Sequence, residues 1–127
     1  MPIHYERDDE RHRIVAVSVG TVTLEEALAV IDRQLAEGAW SYGVLYDVRA
    51  GHASPSAADV HEVVTHVGRL TTQHGPRGRV ALVILDPALS KMARRYASLG
   101  ELTALNVRVF TSIREAEHWL DLGQHDL

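Results

Sequence analysis

Arg79-Val80-Ala81-Leu82-Val83-Ile84-Leu85-Asp86-Pro87 is the stretch that decides the reading of the fold. From Val80 to Leu85 every residue is apolar, with no alternation. A strand with one wet face would alternate, and a helix would need a longer run. A short unbroken run bounded by Gly75-Pro76-Arg77-Gly78 and Asp86-Pro87 reads as a strand buried on both faces. Such strands belong to parallel sheets with both faces covered.

The segments around it supply the rest of an alternating α/β chain. Upstream, Gly43 to Asp47 (GVLYD) reads as another strand, VRAGHASPS as a loop, and Val60, Val63, Val64, Val67 and Leu70 as the apolar stripe of a helix. Ser54-Pro55, or Ser56 with Asp59, can start that helix, and Thr71 to Gly78 reads as a loop. Further upstream, Ile3 to Arg7 and Arg13 to Val19 flank a polar turn and predict an antiparallel hairpin. Thr23 and Glu26 have the spacing of a capping box, Leu24, Ala27, Leu28, Ile31 and Leu35 recur at helical spacing, and Gly38 closes that helix. Downstream, Asp86-Pro87 starts a helix with Leu89, Met92, Ala93, Tyr96 and Leu99 inward. Val107 to Phe110 is the last strand. Ser112 with Glu115 caps a last helix carrying Ile113, Ala116, Trp119 and Leu120, and Gly123 ends it, leaving a loose tail. The predicted order is β-β-α-β-α-β-α-β-α in one domain spanning residues 1–127, with a mixed five-stranded sheet.

Composition narrows the function. A net charge of -4 is opposite to the basic face of a nucleic-acid binder. The absence of cysteine excludes a disulfide scaffold, a thiolate metal site and a cysteine nucleophile. No apolar segment has the length of a membrane span, and the N-terminal MPIHYERDDERHR lacks the apolar core of a signal peptide, so a cytoplasmic location is expected. Of the 13 Lys and Arg residues, Lys91 is the sole lysine. That bias reads as codon usage, with planar oxyanion recognition by arginine as the functional alternative.

Several constellations could carry chemistry. His61 to His66 (HEVVTH) has one residue more than the zinc motif H-E-x-x-H. Five helical positions turn the two rings about 140° apart, so one metal cannot take both. They read as two solvated histidines, and no metal site or cofactor is expected. Asp47, Arg49, His52, Ser54 and Ser56 cluster past the carboxyl end of the central strand, where such sheets bind ligands. The serines read first as helix caps. A serine hydrolase using Ser54 or Ser56 with His52 and Asp47 is a remote alternative, because the chain has no G-x-S-x-G elbow. Gly75 to Gly78 lacks the phosphate-loop pattern and reads as a turn. Asp86, with Lys91, Arg94 and Arg95 on the outer face of the following helix, is a candidate contact region for an acidic ligand or partner.

Taken together, the opening hairpin, Tyr5, Gly20 and Thr23, the YDVR segment at Tyr46 to Arg49, and Val107 to Phe110 followed by Ala116, Trp119 and Leu120 resemble the STAS family. The nearest likeness is to its SpoIIAA-like, anti-anti-sigma-factor-like bacterial branch. The resemblance implies a β-α superhelix with four helices on one side of the sheet. The other face would then be covered by a homodimer partner or another protein. It also implies a non-catalytic regulatory or protein-interaction module, with a kinase or regulator as partner and phosphorylation of a serine as its switch. Counting from Asp47, Ser56 falls at the first serine of the family's D-S-S-G motif, with Pro55 in place of the aspartate and Ala57 and Ala58 after it. The alternative function is a small acidic-ligand or lipid carrier, with Arg49, Lys91 or Arg94 meeting the head group.

Overall fold

A computed structural model describes residues 3–21, 23–52, 57–101 and 106–125. The elements are β1 (His4–Asp8), β2 (Arg13–Thr21), α1 (Leu24–Ala36), β3 (Gly43–His52), α2 (Ala57–His74), β4 (Val80–Val83), α3 (Pro87–Glu101), β5 (Val107–Phe110) and α4 (Ile113–His125). The five strands lie in sequence order in one sheet. β1 pairs antiparallel with β2, and every other pairing is parallel. Candidate Ser54 and Ser56 lie outside the described residues.

The caps anticipated for α1, α3 and α4 are formed, while that of α2 lies outside the described residues. Thr23 accepts the Glu26 amide at 3.2 Å, Asp86 accepts the Leu89 amide at 2.8 Å, and Ser112 accepts the Glu115 amide at 3.3 Å. Each satisfies a backbone N–H that the first helical turn leaves unpaired. Gly38, at φ +71°, closes α1 in the left-handed region that glycine enters without strain.

Register sorts the strand residues between two faces. Val44, Val80 and Val107 share one row, and Leu45, Ala81 and Arg108 share the next. Ala16, Tyr46, Val48, Leu82 and Ile84 pack against Val30 of α1 and Leu89 and Ala93 of α3. Val60, Val64 and Val67 of α2 join Ile31, Trp40 and Tyr96 on that side. Leu45, Ala81 and Val83 pack instead against Ala116, Trp119 and Leu120 of α4. The apolar run of β4 is therefore covered on both faces, and Val80, Ala81 and Val83 are buried.

This corrects the expected placement of four helices on one side. Three lie on one face and α4 crosses the other. A helical stripe reveals that a helix is covered, but not which face it returns to. With α4 across β3, β4 and β5, the inner strands no longer need a second copy to cover them.

Several element boundaries also move: β2 runs on to Thr21, and β4 ends at Val83, leaving Leu85 exposed. β3 continues beyond Asp47 to His52 through a bulge: Val17 pairs with Asp47 but Val19 with Ala50, so β3 carries one extra residue. The expected loop 71–78 gives its first four residues to α2, where the Thr72 hydroxyl donates to the Gly68 carbonyl at 3.1 Å and is satisfied within the helix. α4 runs through Gly123 because that glycine faces another chain segment: an added Cβ would meet Arg79 Cδ at 2.6 Å.

Candidate functional site

Between the sheet and α1–α3 lies a partly open cavity of about 130 Å³. A cavity of about 150 Å³ lined by aliphatic and aromatic side chains accommodates benzene. The walls are Val30 and Ile31 from α1, Val60 and Val63 from α2, Leu89, Met92, Ala93 and Tyr96 from α3, and Tyr46, Val48, Leu82 and Ile84 from the sheet side. Thr23, Asp59 and Leu89 sit at or within the first turn of three successive helices, each of which follows a strand. They mark the end of the cavity at the strands' carboxyl edge. Arg77 and Val80 also line it, and they precede or begin β4, at the amino edge. The space therefore runs along the sheet from one edge towards the other.

Arg77 is placed by its neighbours. Gln34 is fully buried, and its side-chain amide donates to the carbonyls of Ala39 at 2.9 Å, Trp40 at 3.3 Å and Tyr42 at 3.3 Å. With the NH₂ group so committed, the amide oxygen must face the other way, and it accepts Arg77 Nε at 2.7 Å. The Arg77 guanidinium also lies 5.5 Å from the Trp40 ring centroid. Two further bonds join the loops that carry these residues: Trp40 Nε1 donates to the Gly75 carbonyl at 2.8 Å, and the Gly78 amide to the Trp40 carbonyl at 3.0 Å. A Cβ at Gly78 would clash with the Tyr42 carbonyl oxygen, so only glycine permits this approach.

The electrostatics follow from burial. Desolvation pushes the Arg77 guanidinium below its ordinary value, opposed by Tyr96 and Tyr5. Burial pushes the Tyr96 phenol up, and nearby Arg77 opposes that shift, so Tyr96 stays a neutral hydrogen-bond donor. Tyr46 is raised by burial and then by the Glu26 carboxylate, with Ser18 opposing. Its hydroxyl is buried without a hydrogen-bond partner among the described residues.

The residues singled out from sequence are not gathered at this cavity. Asp47 shares a register row with Val83 and Phe110, on the α4 face. Its carboxylate accepts Arg49 Nε and Nη2, both at 3.0 Å, and the Arg49 amide at 3.1 Å. His52 Nε2 lies 3.2 Å from the Thr21 hydroxyl. Asp47 and His52 thus have different partners, and the Asp-His link of a hydrolase triad is not formed among the described residues. Asp86 caps α3. Lys91, Arg94 and Arg95 are exposed, with Arg94 Nε donating to Ser90 Oγ at 3.3 Å. None of these lines the cavity. His61 is exposed, whereas His66, expected to be solvated, lies 2.8 Å from Asp32 across α1 and α2.

The cavity's cation and its holder, Arg77 and Gln34, were missed. Arg77 is hidden in a segment that reads as a plain turn. A weak signal existed in Gln34, a polar residue one helical turn after Val30 and beside the apolar stripe. The arginine bias also has a structural counterpart. Arg33 stacks on Tyr5 at 3.8 Å, and Arg79 and Arg108 lie on Trp119 at 5.0 Å and 5.2 Å. A planar guanidinium stacks on a ring in a way an ammonium cannot.

No family model matches the chain, and no curated protein sequence matches it. Solved structures do match, among them an uncharacterized protein from the DUF3478 family with a SpoIIAA-like fold, from Shewanella loihica PV-4. It matches with a TM-score of 0.55 over 93% of this chain and 91% of that one, at 19% identity. The chain has a SpoIIAA-like fold. At that identity the SpoIIAA-like relationship is one of architecture, so residue roles rest on the geometry above. No helix among the described residues is long and apolar enough to cross a membrane.

The Asp47–Arg49 pair makes a prediction about pH. Arg49 holds the Asp47 carboxyl below the usual carboxylate range. A carboxylate depressed in the folded state contributes stability above its unfolded pKa and loses it as pH falls through the folded value. In Arg49→Gln the Asp47 carboxyl is expected to titrate at higher pH than in the wild type, followed by carboxyl-carbon NMR. An unchanged titration would show that the pair does not form in solution.

Proposed function

We propose that this chain is a non-catalytic SpoIIAA-like binding module that takes a compact, largely apolar small molecule into the cavity between its sheet and α1–α3. The observation that carries this reading is the cavity itself: apolar walls from four structural elements, with a few polar groups at its two ends. That is the usual composition of a small-molecule site. The non-catalytic reading is supported by the engagement of Asp47 with Arg49 and of His52 with Thr21, which leaves the central cluster without a connected base. A ligand of about nine non-hydrogen atoms at roughly 0.5 kcal/mol each would bind with about 4–5 kcal/mol, a Kd near or below the millimolar range.

NMR titration with toluene tests it. Amide shifts are expected at Val63, Leu82 and Ala93, and Ala93→Leu, which fills the cavity from α3, is expected to abolish them while raising thermal stability. Toluene that shifts no cavity residue, or shifts them equally in Ala93→Leu, contradicts the reading.

A second reading is a protein-interaction module. It is supported by Val19 in β2 and Leu85 in the connection after β4, 52% and 57% exposed. A homodimer, or a kinase or regulator acting on Ser56, would use this region. The reading predicts that a serine kinase adds one phosphate, detected by intact mass and lost in Ser56→Ala. No added phosphate, or phosphate that survives the substitution, removes the switch.

A further inference from the structure

We propose that the cavity's ligand is a compact monocarboxylic acid, held by an end-on ion pair between its carboxylate and the Arg77 guanidinium, with its apolar body along Leu82, Ile84 and Met92. This rests on the small-molecule reading above and names the ligand's class.

The first support is charge. Arg77 lines an apolar cavity, and among the described residues no carboxylate pairs with it. Its one hydrogen bond is from Nε to Gln34, a neutral group. Arg77 is half-buried; a cation partly withdrawn from water without a counter-ion is costly, and a carboxylate that meets it there offsets the cost. The surroundings agree, since burial shifts Arg77 towards its neutral form and no acidic side chain opposes the shift.

The second is geometry. Gln34 occupies Nε, so the fork formed by Nε and one terminal nitrogen is closed. The fork formed by Nη1 and Nη2 remains, and it matches the two oxygens of one carboxylate. Tyr96, neutral and close to Arg77 in the same lining, is placed to add a third donor.

The third is size and sign. About 130 Å³ suits a six-carbon ring or a short alkyl chain with its head group. A single cation among aliphatic walls also fits a monoanion better than a phosphate dianion.

Calorimetric titration of the full chain at pH 7 tests the assignment, with benzoate against benzamide and hexanoate against hexanamide, in the wild type and in Arg77→Met. At least one acid is expected to bind ten-fold or more tighter than its amide. Arg77→Met is expected to reduce the acid to the level of the amide and leave the amide within about two-fold. Acid and amide binding equally, or an acid preference that persists in Arg77→Met, overturns the carboxylate assignment while leaving a ligand-binding cavity in place. Acids and amides all failing to bind overturns both. If Arg77→Met does not fold, the wild-type ratio decides, and a ratio under two-fold overturns the proposal.

Discussion

The Gln34 side chain is the contact on which the site depends. One buried amide ties three backbone carbonyls of the α1–β3 connection and orients one guanidinium from the α2–β4 connection. The two loops then run together through Trp40, Gly75 and Gly78. Replacing Gln34 by an apolar residue would take a donor from three carbonyls; those of Ala39 and Trp40 keep the Tyr42 and Gly78 amides, so the loss, about 1 kcal/mol or more for a buried carbonyl, falls chiefly on Tyr42. It would also release Arg77 to swing out of the cavity. The helix supplies the rigid part of this arrangement, because Gln34 lies in the last turn of α1, between the buried Ile31 and the cap at Glu37.

The sheet divides the molecule into two unequal halves. On one face α4 seals β3, β4 and β5 with Ala116, Trp119 and Leu120, and Trp119 carries Arg79 and Arg108 on its ring. On the other face three helices share the covering, and where α1, α2 and α3 meet they leave the cavity. The apolar run of β4 is what permits both arrangements. Its Ala81 and Val83 belong to the sealed side and its Val80 and Leu82 to the cavity side.

The order of elements could be read from the chain because α1, α3 and α4 each begin at a side-chain cap and each inner strand is an apolar run. Thr23, Asp86 and Ser112 act where their spacing put them. The side of the sheet that α4 takes was not legible, since Ala116, Trp119 and Leu120 state only that one stripe is buried. The bulge in β3 was hidden by Arg49-Ala50-Gly51, which carries no alternation. The site itself was least legible. Asp47, Arg49 and His52 are close in sequence, but Asp47 lies on the face opposite to the cavity. Arg77 and Gln34 are 43 positions apart and meet only through tertiary folding. Local clustering of polar residues identified an ion pair, whereas the half-buried cation of the cavity came from a segment whose glycines and proline resemble an ordinary turn.

A crystal structure grown with benzoate tests the account most directly. The account predicts the carboxylate within hydrogen-bond distance of Arg77 Nη1 and Nη2, the ring against Leu82 and Ile84, and Gln34 still bonded to Arg77 Nε. An empty cavity, with benzoate absent or held only by Lys91, Arg94 and Arg95 on the outer face of α3, would contradict it.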